Sequence, residues 1–305
     1  MIKKKVLKYI KYIVAIWLSL TILIFIGGVV KYHIDLNRYI NQEEPNKAMA
    51  TKDNSSRGIE VHILGTVHFE TDKIKRDDFY RYLDSVSPAI ILFERDSKTL
   101  NRMLNKTDFF WQFMSAFKSG NKVESFISLK YIKQNPEAKV LPYEWEEFIE
   151  YQFKHNLSSN TSKLINVVLK LNRENLLTSE QSSVVKKYLA INKSYWQISR
   201  NAKNIADFNN ETADNIIRER QLYLYKYVPE IANEREELAQ FNDFIPVHMK
   251  YWDTRNKAMV KNILNQIKLN PNKKIVVLNG YTHRYYLMDE LKKYQKEFNF
   301  TLKYR

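Results

Sequence analysis

Two stretches near opposite ends of the chain share one pattern, an apolar run that ends in Gly-x-x-His. The first reads Val61-His62-Ile63-Leu64-Gly65-Thr66-Val67-His68, and the second reads Val276-Val277-Leu278-Asn279-Gly280-Tyr281-Thr282-His283. Runs rich in Val, Ile and Leu predict buried strands of a mostly parallel sheet. Because glycine allows the chain to leave the sheet, His68 and His283 should lie at its carboxyl edge, where ligands bind in open α/β sheets.

The segment after the first strand completes a β-α-β unit. Residues 76–86 place apolar side chains at helical spacing, and Pro88 then restarts the chain. Ala89–Phe93 is a second apolar run, which predicts a buried strand that brings Glu94 to the same sheet edge as His68.

The rest of the chain is mainly helical in pattern. We predict two helices over 97–134, a short strand over 138–145 that presents Glu144 as a weaker candidate, and a helical insertion at about 146–250. A long helix should open at Trp252–Val260, with Asp253 or Thr254 as its N-cap. The predicted elements that follow are a strand at Lys273–Asn279, a helix at His283–Lys293 and an edge strand at Phe298–Lys303.

The N-terminal segment has the composition of a membrane span. Tyr12–Val30 contains nineteen residues without a charge, close to the number of about 20 that crosses a bilayer. Five lysines precede this segment, so the positive-inside rule predicts a cytoplasmic N-terminus. An uncleaved anchor is favoured over a signal peptide, although cleavage near Gly27-Gly28 is an alternative.

These patterns divide the chain into three parts. Residues 1–39 form a cytoplasmic stub and transmembrane anchor, residues 40–58 form a polar linker, and residues 59–305 form an α/β domain with a central, mostly parallel sheet, flanking helices and a large helical insertion. We therefore expect a single-pass membrane protein whose folded domain is extracytoplasmic.

Composition restricts the chemistry. The chain has no cysteine, which excludes disulfides, thiolate metal ligands and a cysteine nucleophile. The net charge of +15 is spread along the chain without a recognisable nucleic-acid module, so we expect no nucleic-acid partner. The sequence also lacks a Gly-x-Ser-x-Gly elbow, a phosphate-binding glycine loop and a His-Glu-x-x-His helix.

Two histidines and a glutamate at one sheet edge suit hydrolysis in either of two ways. His68, Glu94 and His283 could bind Mn, Co, Zn or Fe and activate a water molecule, or they could act without metal as general acids and bases. The alternative is that these histidines are hydrogen-bonded loop residues with a purely structural role.

Arg255 is a further candidate because it shares a helix face with Met259. It could pair with Glu94, bind an anionic group of the substrate, or lie in solvent. His62 is expected to be a buried structural histidine, and surface or packing roles are expected for the remaining three, which are His33, His155 and His248.

The motifs resemble those of the TraB/Tiki, ChaN-like and erythromycin esterase superfamily. The resemblance is carried by Gly65-Thr66-Val67-His68, Phe93-Glu94-Arg95, Arg255-Asn256 with Met259, and Gly280-Tyr281-Thr282-His283. It implies an α/β fold with a helical insertion and a cleft that contains His68, Glu94, Arg255 and His283. The superfamily's activities imply a metal-dependent membrane-tethered peptidase, a metal-free esterase, haem binding or peptide binding.

The leading hypothesis is a membrane-anchored extracytoplasmic hydrolase, in the form of a metal-dependent peptidase. His68, Glu94 and His283 would be metal ligands or catalytic groups, and Arg255 would steady the site or a peptide or small-molecule substrate. The alternatives are a non-catalytic module that binds a peptide or haem, and a metal-free esterase.

Overall fold

The computed structural model describes residues 2–42, 58–105, 108–117 and 122–303. Its five strands are β1 Ile59–Thr66, β2 Ile90–Phe93, β3 Lys139–Pro142, β4 Ile275–Gly280 and β5 Phe300–Lys303. They form one parallel sheet in the order β3-β2-β4-β1-β5, which confirms the predicted α/β class. The strand that carries the second Gly-x-x-His motif, β4, is central and lies beside the strand that carries the first.

Helices enclose this sheet on both faces. They are α1 Ile2–Ile40, α2 Arg76–Val86, α3 Ser97–Leu104, α4 Phe109–Phe117, α5 Lys122–Gln134, α6 Phe148–Lys154, α7 Leu157–Arg173, α8 Ser179–Asn201, α9 Glu211–Leu222, α10 Val228–Asn233, α11 Ile245–Leu269 and α12 Arg284–Tyr294. Short 3-10 turns lie at Ile205–Phe208 and Glu236–Phe241, and a π-helical turn at Tyr223–Tyr227 joins α9 to α10.

The core has two parts because the sheet is apolar on both faces. One face packs on α2 and the insertion through residues such as Phe79 and Leu83. The other packs on α11 and α12 through Met259, Ile263 and Leu287. The sheet is therefore the middle layer of three.

The helical insertion is fastened directly to β1. The amide side chain of Asn209 accepts a hydrogen bond from the Gly65 nitrogen at 2.7 Å and donates one to the Gly65 carbonyl at 2.9 Å. A Cβ on Gly65 would lie only 3.0 Å from that Asn209 oxygen, so the close approach requires glycine here. The insertion thus fixes the end of the strand that leads to His68.

Two predictions of helix boundaries were wrong. The segment 97–134 contains three described helices, because the first ends where Asn105 turns to an extended conformation. The last long helix begins at Ile245, with Pro246 in its first turn where proline's missing N–H costs nothing. Asp253 is therefore inside α11, where it pairs with Lys257 at 2.6 Å instead of capping the helix.

Helix α1 extends from the apolar segment onto the folded domain. Residues 10–40 include a window with a mean hydropathy of 2.7, long and apolar enough to cross a membrane by length and composition. Its last turns bury Tyr32 and Tyr39 against Phe126 of α5, with ring centroids 5.9 and 6.1 Å apart. The predicted linker covers residues 40–58, of which residues 43–57 lie outside the part of the chain that the structure describes.

Candidate functional site

Four neighbouring strands each deliver one candidate side chain to the same edge of the sheet. Glu144, Glu94, His283 and His68 follow β3, β2, β4 and β1, in the order in which these strands lie side by side. The sequence prediction that His68, Glu94 and His283 converge is matched by this arrangement. His283 Nε2 lies 3.7 Å from Glu94 Oε1.

Arg255 of α11 is at the centre of this cluster. Its Nη2 donates to Glu94 Oε1 at 2.8 Å, its Nε donates to Glu144 Oε1 at 3.1 Å, and its Nη1 donates to His283 Nε2 at 3.0 Å. The guanidinium also lies 4.0 Å from the ring centroid of Phe148. Of the three roles considered for Arg255, the structure has the pairing with Glu94.

The charges around Arg255 compensate its burial. Burial alone would lower the pKa of Arg255, but the charges of Glu144 and Glu94 outweigh that effect and raise it. One guanidinium and two carboxylates leave this buried group with a formal charge of −1 when all three are ionised. The cluster is thus an anionic support for whatever binds next to it.

His283 is held as a neutral ring. Because an arginine can only donate, Nε2 must be the accepting nitrogen and Nδ1–H must donate to Asn256 Oδ1, 2.8 Å away. Burial, together with the charge of Arg255, lowers the pKa of His283 well below 6.5. Trp252 stacks on the ring with centroids 4.4 Å apart. Both ring nitrogens are therefore committed to protein partners.

His68 has a different environment. Its side chain is 42% exposed, and its Nδ1 lies 2.9 Å from Glu124 Oε1 on the first turn of α5. Burial would lower the pKa of His68, but the hydrogen bond to Glu124 and the charges of Glu124 and Glu94 raise it overall. Glu124 also accepts from the Thr66 hydroxyl, which fixes the carboxylate in place.

The absence of a side chain at Gly280 lets His68 and Glu94 approach each other. A Cβ at this position would lie 3.2 Å from His68 Nε2 and 3.6 Å from Glu94 Oε2. The Gly280 amide donates to Glu94 Oε2 at 2.5 Å. The free Nε2 edge of His68 therefore points to the place where Glu94 meets the end of β4.

A small cleft opens at this point. Its volume is about 10 Å³, and it is lined by His68, Phe93, Glu94, Arg95 and Glu124. Arg95 is half-buried and donates to the Glu94 carbonyl at 2.8 Å. It lines the same cleft as His68, and its charge acts on the imidazole. An imidazole with a free nitrogen can accept a proton from water. A neighbouring cation can stabilise negative charge that develops on an oxygen.

No family model, curated protein or solved structure matches this chain. Membership of the TraB/Tiki, ChaN-like and erythromycin esterase superfamily therefore stays a prediction from the two Gly-x-x-His motifs and the residues between them.

The predicted metal ligands do not fit a metal ion in this arrangement. The Nε2 lone pair of His283 accepts from Arg255, and the two oxygens of Glu94 accept from Arg255 and from the Gly280 amide. Among the residues that the structure describes, no group of three or more His, Asp or Glu side chains is placed to hold a metal.

Haem, the other predicted cofactor, meets a limit of size. Small-molecule pockets commonly enclose about 300–1,000 Å³. The cleft beside His68 is far smaller than that, at about 10 Å³. Haem could coordinate His68 only if the cleft opened considerably.

The sequence did not predict Glu124 as the partner of His68. It predicted Glu144 only as a weaker site candidate, although this carboxylate contacts Arg255 at the centre of the cluster. Glu144 did carry a signal, since it follows an apolar run as Glu94 does. Glu124 carried none, because it lies on a helix 56 residues from His68.

The other histidines lie outside the cluster. His62 is half-buried, with Nδ1 3.2 Å from the Tyr82 hydroxyl, and His248 is buried with Nε2 3.0 Å from the Leu224 carbonyl oxygen. His33 contacts Gln112, and His155 packs on Tyr151.

Proposed function

We propose that this chain is a membrane-anchored hydrolase in which His68, supported by Glu124, removes a proton from water without the help of a metal ion. The observation that carries the proposal is the contrast between the two motif histidines. His283 has both nitrogens engaged in a buried site, whereas His68 has one nitrogen held by a carboxylate and a partly exposed ring that lines a cleft.

The proposed reaction is hydrolysis of a carboxyl ester or a peptide bond. Water attacks the carbonyl carbon as its proton passes to His68 Nε2, and the Nδ1–H to Glu124 hydrogen bond stabilises the resulting imidazolium. The negative carbonyl oxygen is stabilised by Arg95. The imidazolium then returns its proton to the leaving alcohol or amine, so that atoms and charge balance.

Arg255 and Glu94 have a supporting part in this proposal. Arg255 has its donors committed to Glu94, Glu144 and His283, so we assign it to positioning. Glu94 is held at the cleft by Arg255 and the Gly280 amide, and its negative charge favours the protonated form of His68.

The location of the domain is part of the proposal. The length and composition of the apolar stretch in α1 support a single membrane span. The lysines that precede it favour a cytoplasmic N-terminus and an extracytoplasmic domain.

The test is hydrolysis by the full chain in detergent micelles or lipid vesicles, with short-chain p-nitrophenyl esters and a pool of fluorogenic peptides, before and after chelation. We expect rates to rise with pH through the pKa of His68, because only the neutral ring accepts a proton. His68→Asn should lower the rate by about 100-fold or more. Glu124→Gln should move the rising limb to lower pH, because it removes the main group that raises the pKa of His68. His155→Asn, at the C-cap of α6, is the matched control and should keep wild-type rates.

Each alternative gives a different result. Activity that a chelator removes and Mn, Co, Zn or Fe restores would favour the metal-dependent peptidase and overturn the metal-free mechanism. Binding of a peptide without turnover would favour a binding module. If His68→Asn lowers thermal stability and changes nothing else, the residue is structural.

A further inference from the structure

Helix α4 has an unusual composition for a helix on the outside of a folded domain. Phe109–Phe117 reads Phe-Phe-Trp-Gln-Phe-Met-Ser-Ala-Phe and contains no charged residue. It packs beside α1, where Phe113 meets Phe25 with ring centroids 5.0 Å apart. An uncharged, aromatic helix thus lies against the segment that is apolar enough to cross a membrane.

The polar and apolar sides of α4 are reversed relative to those of a helix in water. Its one amide side chain, Gln112, is 2% exposed and lies 3.0 Å from His33 Nε2 of α1. Ala116, one turn later, is 4% exposed. Phe109 and Phe110 are instead 53% and 59% exposed. A helix that buries its amide and exposes its phenylalanines matches an apolar surrounding, not an aqueous one.

The position of α4 along α1 agrees with this. Tyr12–Val30 spans about 28 Å as a helix, close to the thickness of the hydrocarbon layer of about 30 Å. Phe25 is therefore roughly 7 Å inside the end of the apolar stretch nearer the domain. His33 is three residues beyond that end. Because α4 contacts both Phe25 and His33, it lies at the level where hydrocarbon gives way to headgroups.

We propose that α4 is a second contact with the lipid bilayer, embedded beside α1 in the leaflet nearer the domain with Phe109 and Phe110 among the acyl chains. The occupant of this exposed aromatic face is lipid, because α4 packs along α1, whose exposed apolar side chains include Leu23 and Ile26. Interfacial helices use phenylalanine in this way. The inference rests on the membrane span proposed for α1 and does not depend on the proposed hydrolase activity.

This contact has a consequence for the position of the cleft. Helix α5 follows α4 and carries Glu124 on its first turn. It also buries Tyr32 and Tyr39 of α1. Two attachments, α4 in the lipid and the end of α1 on α5, would hold the cleft beside His68 at a fixed height above the bilayer.

The absence of cysteine from the chain allows a clean test. Phe110→Cys is labelled with the polarity-sensitive fluorophore NBD in the full chain, reconstituted in vesicles of phosphatidylcholine and phosphatidylglycerol. The matched control is Phe153→Cys on α6, whose side chain is 82% exposed. Leu23→Cys, 64% exposed on α1, reports on insertion of the span. Phe109→Cys repeats the measurement if the first variant does not fold.

We expect the label at position 110 to emit at shorter wavelength than the label at 153 and to be quenched severalfold by nitroxide-bearing lipid, as at position 23. Iodide in the aqueous phase should quench only the label at 153. Quenching by iodide at 110 but not at 23 would overturn the proposal. Protection from both quenchers would show that protein covers α4, which would also overturn it, as would a label at 23 that iodide reaches.

Discussion

Arg255 holds together groups that would otherwise repel one another or be buried without a partner. Its guanidinium contacts side chains that follow three different strands, namely Glu94, Glu144 and His283. A planar arginine can serve three such partners at once because its five N–H donors point in fixed directions. The residue therefore links the carboxyl ends of β2, β3 and β4 through one side chain.

Replacing Arg255 by methionine should destabilise the fold strongly. The side chain volume is nearly kept, but Glu94 and Glu144 are left at 11% and 2% side-chain exposure without their cation. Breaking a buried ion pair from one side costs about 3–5 kcal/mol. Chemical denaturation of the full chain in detergent, followed by circular dichroism, measures the change.

The matched control for this prediction is Lys257→Met, two residues further along α11. Lys257 pairs with Asp253 at 2.6 Å, but the two side chains are 69% and 53% exposed. Solvent screens such pairs, so little change in unfolding is expected. If the two variants unfold at the same denaturant concentration, the Arg255 cluster does not contribute to stability as argued.

At the residue scale, the sequence predicted the parts of the site that follow strands. His68, Glu94 and His283 were predictable because the carboxyl ends of parallel strands meet at one edge. Glu124 was not, since a helix can present its first turn to many parts of a sheet. The position of the proton on His283 was also not predictable. It depends on the contacts of the ring with Arg255 and Asn256, which the spacing of these residues in the sequence does not reveal.

At the scale of elements, the hydrophobic periodicity and the residues at the ends of each segment decided what could be predicted. The continuous apolar runs identified β1, β2 and β4 because strands buried on both faces leave no other pattern. The start of α11 was misplaced because a polar Asp253-Thr254 pair looks like a cap, while the true start at Ile245 has no side-chain cap. The packing of the last turns of α1 on α5 was also missed, because Tyr32 and Tyr39 look like ordinary residues after an apolar segment.

The contact between α1 and α5 predicts a sharp dependence on where the chain is truncated. A chain that begins at residue 31 keeps Tyr32 and Tyr39, which are 3% and 4% exposed, whereas one that begins at residue 43 loses both. Burial of a large side chain contributes about 1.5–3 kcal/mol, so the shorter chain should lose about 3–6 kcal/mol of stability. The shorter chain also exposes Phe126, and Arg76 loses its contact with the Tyr39 ring.

Thermal unfolding of the two truncated chains in the same detergent measures this difference. The chain that begins at residue 31 should unfold near the temperature of the full chain, and the chain that begins at residue 43 should unfold well below it or aggregate. Equal unfolding temperatures would show that the last turns of α1 are a linker with no part in the domain.

At the scale of the whole molecule, the interior of the insertion contains a histidine whose protonation the folded protein disfavours. His248 of α11 is fully buried between Phe244 and Tyr225, and its Nε2 donates to the Leu224 carbonyl in the π-helical turn. Its Nδ1 accepts from the Thr161 hydroxyl of α7 at 3.1 Å. The neutral ring thus joins three helical segments that are distant in sequence.

Acid should therefore loosen this interior before the carboxylates titrate. Burial lowers the pKa of His248 from 6.5 to about 4. Between these values the unfolded chain binds a proton that the folded chain does not, so stability is complete above pH 6.5 and falls as the pH drops towards 4. The shift corresponds to about 3 kcal/mol at most.

His248→Gln keeps a donor for the Leu224 carbonyl but cannot be protonated, so its unfolding free energy should depend less on pH in this interval. Denaturation curves of both proteins across this interval decide the matter: a difference that narrows steadily towards pH 4 supports the argument, and parallel curves would show that His248 does not couple protonation to folding.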